Sequence, residues 1–284
     1  MDKSTHDGAG GSCCAQRTPG RALLVVMSST PGYNPEPIMT NPPRHGPRML
    51  STPTTDADRL ASNLAGIRTR IANAVAKAGR SPGVVTLVAV TKRSPADWVR
   101  TLVGLGATDL GENYPQELWS KVEALADLPV RWHHIGHLQG NKAKRTLPLV
   151  RMVHGVDSLK LLLTIDGLVG IDDPPGVCLQ VNVSGEATKH GWTADALLDD
   201  AEAIAGVRRV PVVGLMTIAG LGTGGDSARP AFARLREIRD RLATAIGRSL
   251  PCLSMGMTAD FEAAILEGAT HVRIGSALFE GVGP

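Results

Sequence analysis

Eight short apolar runs, separated by stretches of helical character, recur between Val84 and Phe279. In order they read "VVTLVAVTK" (Val84 to Lys92), "TDLGEN" (Thr108 to Asn113), "VRWHHIG" (Val130 to Gly136), "MVHGVD" (Met152 to Asp157), "GVCLQVNV" (Gly176 to Val183), "VPVVGLMTI" (Val210 to Ile218), "CLSMGM" (Cys252 to Met257) and "HVRIGSALF" (His271 to Phe279). Runs rich in Val, Ile and Leu, with little polar alternation, are what a parallel sheet requires when helices cover it. Eight such units within about 230 residues predict a single closed (β/α)8 TIM barrel, whose usual size is roughly 250 residues. An open doubly wound sheet would carry a GxGxxG turn after its first strand, and none follows "VVTLVAVTK".

Ahead of the first strand, Leu60, Leu64, Ile67, Ile71 and Val75 recur at helical spacing behind a Thr55/Asp56 cap, and Gly79 closes the helix. Before residue 55 the pattern is different: eight of the nineteen prolines, many Ser and Thr and no sustained periodicity. Such a segment cannot bury enough surface to offset its chain entropy, so residues 1–54 are expected to be a disordered extension and 55–284 the barrel domain. Met27, Met39 and Met49 lie inside the extension, which leaves room for an internal start.

Charge and composition remove several classes of function. The formal net charge is only +3, and no stretch interleaves many Lys or Arg with aromatics, so no nucleic-acid partner is expected; "GNKAKR" reads as a solvated helix face. No apolar run approaches the roughly 18 residues of a membrane span, and "ALLVVM" does not have the form of a signal peptide. A cytoplasmic protein is expected. Cys13 and Cys14 are adjacent, whereas Cys178 and Cys252 lie singly in apolar segments, so neither a disulfide framework nor a metal site is predicted.

In a barrel of this kind the chemistry lies at the C-terminal ends of the strands. These ends are polar here: Lys92, Glu112 with Asn113, His133 with His134, Asn182, and Arg273 on the same face as Gly275. Both faces of the first strand are apolar, so periodicity leaves open which one points inward; the Lys92 face is taken as the inner one. A lysine ending a strand is most often the first solvated residue of a loop. At a partly desolvated mouth near a second cation, however, its amine becomes a nucleophile toward an aldehyde of a substrate or a cofactor. Phosphate sites in barrels are frequently built from the loops after strands seven and eight. There "SMGMT" and "RIGS" supply Gly256 and Gly275 for close backbone approach, with Ser254, Thr258 and Ser276 as hydroxyl donors. A lysine for an aldehyde and a cradle for a phosphate are the two handles of pyridoxal 5'-phosphate (PLP).

The segments "VAVTK", "GENYPQE", "WHHIGHLQGNKAK", "QVNVSGEATKHG", "GLMTI" and "SMGMTADFEAAILEGATHVRIGSALF" resemble, in the same order, the motifs of the YggS/PROSC family of PLP-binding homeostasis proteins. The resemblance runs from about Asp56 onward. It implies a single barrel similar to the N-terminal domain of alanine racemase, holding PLP as a Schiff base on Lys92 without established turnover and serving the vitamin B6 pool. PLP-dependent apoenzymes are then the implied partners, and a monomer or a homodimer the implied state. By the same resemblance Asn113 and His133 line the cofactor pocket, Ser254, Gly256, Met257, Thr258, Gly275 and Ser276 form the phosphate cradle, and Arg273 lies near the pyridine ring. Departures are few: His134 stands where an aromatic is usual and is expected behind the strand, Thr91 and Thr258 replace serines, and Glu280 interrupts the last turn.

An arginine beside the pyridine nitrogen leaves it neutral and weakens the cofactor as an electron sink. The alanine racemases that this barrel resembles offset this with a tyrosine from a second domain. The sequence ends nine residues after Gly275, and its tyrosines are Tyr33 and Tyr114, the latter expected to be a packed residue opening a helix. A non-catalytic PLP protein is therefore the leading expectation. A racemase-like enzyme using Lys92 with His133 or Tyr114, and a Schiff-base aldolase acting on a phosphorylated substrate, are the alternatives.

Overall fold

The computed structural model describes residues 55–168, 170, 173–186, 190–220 and 224–283; the extension expected over 1–54 lies outside the described residues. Thr55 caps α1 (Asp56–Lys77) with a reciprocal side-chain and backbone exchange with Asp58, and Leu60, Leu64, Ile67 and Ile71 form its buried stripe. The chain then runs through β1 (Thr86–Val90), α2 (Ala96–Gly104), β2 (Asp109–Glu112), α3 (Pro115–Ala124), β3 (Arg131–His134), α4 (Gly140–Thr146), β4 (Met152–Val156) and α5 (Leu159–Leu168). It continues with β5 (Gly176–Gln180), α6 (Ala194–Asp199), α7 (Ala201–Gly206), β6 (Val212–Met216), α8 (Arg229–Ile246), β7 (Cys252–Ser254), α9 (Phe261–Leu266) and β8 (His271–Ile274).

The strands pair in chain order into the closed parallel barrel that the alternation predicts, β8 returning to β1 with Val88 opposite Arg273. The apolar core lies mainly between strands and helices, where Leu110, Val153, Leu179, Leu253 and Val272 are buried. The face of β1 left open by the sequence is resolved as assumed. Gly111 packs against the Val88 side chain inside the barrel, and Lys92, two pleats beyond Val88, reaches the mouth.

One unit departs from the expected alternation. After β8 the described residues form only a short helical turn, Ser276–Leu278, and the helical ring is completed there by α1, which precedes β1. Asn63 of α1 donates to the carbonyls of Leu278 and Glu280, so the Glu280 insertion is accommodated through its main chain. Trp98 of α2 stacks on Phe279 with ring centroids 6.0 Å apart.

His134 lies on the outer face of β3, as expected, and is fully buried. Neither ring nitrogen has a hydrogen-bond partner, and burial pushes its pKa down to about 4. The unfolded chain, with a histidine pKa near 6.5, binds a proton here that the folded chain refuses. Stability is therefore lost as pH falls from about 6.5 to about 4, by roughly 3 kcal/mol from this residue.

Three substitutions test this packing. Gly214 of β6 leaves no room for a side chain, since a Cβ would sit 1.9 Å from the carbonyl oxygen of Cys252. Gly214→Ala is expected to abolish cooperative unfolding or lower the thermal midpoint steeply, while Gly66→Ala, in open space on α1, raises stability by about 1 kcal/mol. For His134→Phe, urea unfolding at pH 7 is expected to show a gain of about 1 kcal/mol, because buried unpartnered polar atoms cost about 1–3 kcal/mol. The gain should narrow as the pH rises and widen toward pH 5; the same difference at both pH values would contradict the assignment.

Candidate active site at the barrel mouth

β1 delivers Lys92 through a tight turn in which Ser94 donates its N–H to the carbonyl of Thr91. Arg93 in this turn has φ 61°, the one positive φ at a non-glycine position among the described residues, and its N–H is held by Glu117. Such strain persists only where the surroundings enforce it, and it collects at functional sites. The enforcing contacts lie behind the strand. The Thr91 hydroxyl donates to Glu112 at 2.6 Å, and Lys121 of α3 donates to both Glu112 and the Thr91 carbonyl. Burial pushes the Glu112 carboxyl up and outweighs the Lys121 and Thr91 contacts that pull it down. This ion pair joins β1, β2 and α3 directly beneath Lys92.

Lys92 opens onto a cavity of about 420 Å³, within the roughly 300–1,000 Å³ of small-molecule sites. Asn113, Met257, Thr258, Arg273, Gly275 and Ser276 line the same cavity, so seven of the ten residues singled out in the sequence meet there. Gly275 is a glycine because a Cβ would press to 3.3 Å from that of Val90, which lets the β8 loop lie close on β1. The Ser276 hydroxyl donates to that of Thr258 at 3.0 Å, bringing the loops after β7 and β8 together. Neither Thr258 nor Ala259 donates its N–H to a group among the described residues, while Asp260 holds the N–H of Met257 at 2.6 Å. Free N–H groups, two hydroxyls and a nearby guanidinium suit an anion such as a phosphate.

Three sequence-singled residues are placed elsewhere. Ser254 is fully buried below the cavity, its hydroxyl accepting from Arg273 Nη1 at 2.6 Å and meeting His154 Nδ1 at 2.6 Å. Gly256, at φ +93°, is required by packing, because a Cβ would come within 2.6 Å of that of Ala264 in α9. Its carbonyl accepts from the N–H of Arg273. His133 is buried inside the barrel beneath the cavity and does not line it. Hydroxyls and glycines that fix the cradle from below look, in a sequence, the same as those that touch a ligand.

These residues belong to a polar chain that runs up the barrel interior. Asp109 meets His133 Nε2 at 3.1 Å, His133 Nδ1 meets His154 Nε2 at 2.9 Å, and the chain continues through Ser254 to Arg273. Burial raises the Asp109 carboxyl, yet the hydrogen bonds of Arg131 and His133 outweigh it and hold the pKa well below the usual carboxylate range. Burial pushes His154 well below the ordinary histidine value, helped by His133 and Arg273, so its ring is neutral. Arg273 is lowered by burial to about 10 and stays charged at neutral pH. Nη1 and Nη2 of Arg273 are taken by Ser254 and by the carbonyl of Thr217, while Nε has no partner among the described residues. Asp109, His154 and Thr217 are inconspicuous in the sequence, where a histidine within the apolar run "MVHGV" is the available signal.

The alanine racemase N-terminal domain family matches residues 55–282. The pyridoxal phosphate homeostasis protein of Pseudomonas aeruginosa is 45% identical over 221 residues, covering 78% of this chain and 94% of that protein. The protein of the same name from Aquifex aeolicus is 40% identical, covering 76% and 95%. Among solved structures, PipY of Synechococcus elongatus with PLP bound superposes with a TM-score of 0.69 at 33% identity, covering 78% of this chain and 99% of that one. Sequence, barrel and shared length agree, and the chain belongs to the alanine racemase N-terminal domain family, within its pyridoxal phosphate homeostasis proteins.

Proposed function

We propose that this protein binds PLP as a Schiff base on Lys92 and serves vitamin B6 homeostasis in the cytoplasm, passing the cofactor to PLP-dependent apoenzymes without catalytic turnover. The observation that carries this reading is the common cavity of Lys92, Arg273 and the loops after β7 and β8. The names of the relatives and the PLP held by PipY support it. Among the described residues, no helix is long and apolar enough to cross a membrane.

Each residue has a part in the proposed complex. Lys92 supplies the amine for the aldehyde. Thr258, Ser276 and the backbone at Gly275 take the phosphate, with Asn113 and Met257 along the walls. The free Nε–H of Arg273 is the donor available to the pyridine nitrogen, and His133, Ser254 and Gly256 act at one remove by holding Arg273 and the β7 loop. When bound, PLP would supply an electron sink, and an arginine partner that leaves its nitrogen unprotonated weakens that sink. Tyr114, expected as a packed residue, is instead 44% exposed; it lines a neighbouring recess with His137 and Lys142 and does not line the Lys92 cavity. Among the described residues no tyrosine lines the cavity opposite the lysine, which disfavours a racemase-like two-base reaction.

The test uses purified full-length protein. Added PLP is expected to give a yellow absorption band that borohydride abolishes, leaving a mass label on Lys92; Lys92→Ala should show neither. A colourless protein that gains no band would favour the aldolase reading. Incubation of the PLP-loaded form with single amino-acid enantiomers is expected to leave the isomer ratio unchanged, and clear turnover would overturn the non-catalytic assignment.

A further inference from the structure

We propose that His137, Asp157 and His190 form a binding site for a divalent transition-metal ion of the zinc class on the rim of the barrel mouth. The three residues follow β3, β4 and β5, so three consecutive loops each contribute one donor. His137 Nδ1 lies 2.7 Å from Asp157 Oδ2, and His190 Nδ1 lies 3.8 Å from the same oxygen. All three donor atoms fall within 4.8 Å of one another. Ligands about 2.05 Å from a tetrahedral ion stand about 3.4 Å apart, between these two separations, so small side-chain rotations bring the set to coordination distance.

The surroundings favour a built site over a chance meeting. The Asp157 carboxylate is only 10% exposed, although both histidines reach solvent. The imidazoles stack at 5.2 Å between centroids and 24° between planes, and each directs Nδ1 to the one carboxylate. An ion at the point where these donors converge would replace the proton that His137 Nδ1 shares with Asp157 Oδ2. Gln180, at the end of β5, donates to the carbonyl of His190 at 2.9 Å and fixes the main chain that carries the third ligand. Two imidazoles select against magnesium and calcium, and the absence of a thiolate from the set points to zinc, cobalt or nickel over copper(I). Three protein ligands leave a fourth position for water or an anionic ligand. His137 also lines the recess that Asn113 shares with the Lys92 cavity, so the ion would stand beside the proposed cofactor entrance.

The proposal is independent of PLP binding, and its test needs no cofactor. Full-length protein freed of metal by chelation and then of chelator is titrated with Zn²⁺ by calorimetry and with Co²⁺ by electronic absorption, alongside His190→Ala and Asp157→Asn. Wild type is expected to take up one Zn²⁺ equivalent that both variants lose or bind at least about tenfold more weakly. The corresponding Co²⁺ species should show visible bands of a four- or five-coordinate ion without a sulfur-to-metal charge-transfer band. That last readout separates the rim from Cys13 and Cys14 of the N-terminal extension. Circular dichroism confirms that His190→Ala, a change at an exposed side chain, is folded. No Zn²⁺ uptake by wild type, or the same uptake and affinity in both variants, would overturn the proposal.

Discussion

A guanidinium buried inside a ring of eight strands sets the terms for the rest of this barrel. Removing a cation from water costs several kcal/mol, and the interior must return that cost through hydrogen bonds and nearby charge. Arg273 receives Ser254 and the Thr217 carbonyl as acceptors, with Asp260 adding electrostatic support. Ser254 is held in turn by His154, His154 by His133, and His133 by Asp109. Part of the interior that would be plain hydrocarbon in a structural barrel is thus given over to one polar column, beside a small cluster of Cys178, Met216 and Cys252. Apolar packing is displaced to the outer faces of the strands, where the helices cover it.

The same column explains a division of labour around the mouth. Lys92 and the loops after β7 and β8 meet the cavity directly, whereas the residues beneath them do not touch it and fix its geometry. The front and back of β1 are treated differently too. Lys92 leans into the opening, while Thr91 on the opposite face is bound by Glu112 and Lys121. Those two contacts pin the strand end against a backbone turn that would otherwise relax. Rigidity below and behind the lysine suits the proposed role of a covalent anchor, in which the amine would meet an aldehyde at a fixed distance from the loops after β7 and β8.

How much of this could be read beforehand depends on the range of each interaction. The barrel was legible because strands buried on both faces leave runs of Val, Ile and Leu, and those runs recur eight times. That same double burial erased the alternation that would have said which face of β1 points inward. Lys92, Thr258, Arg273, Gly275 and Ser276 were legible because they stand at strand ends, where polar residues are conspicuous. The polar column was not: His133 and His154 are 21 positions apart, and His154 and Ser254 are 100 apart, so no local pattern joins them. A hydroxyl and a glycine beside a strand end, such as Ser254 and Gly256, serve internal packing and ligand contact equally well, so a sequence does not tell the two uses apart. The ring-closing role of α1 was hidden because periodicity defines a helix's buried stripe and leaves its neighbour unnamed.

That role has a kinetic side. The seam between α1 and the turn at Ser276–Leu278 joins the first and last described parts of the barrel, with Asn63 reaching across 215 and 217 positions to two carbonyls. During synthesis α1 precedes every strand of the barrel, and the part of it that packs on α9 stays uncovered until α9 has left the ribosome, while α2 covers another part early. The loop-closure entropy of this contact is near the largest the domain can require, and contacts of such sequence separation slow folding. A barrel whose strands are continuous still has a beginning and an end, and here the two meet beside the strand that leads to Lys92.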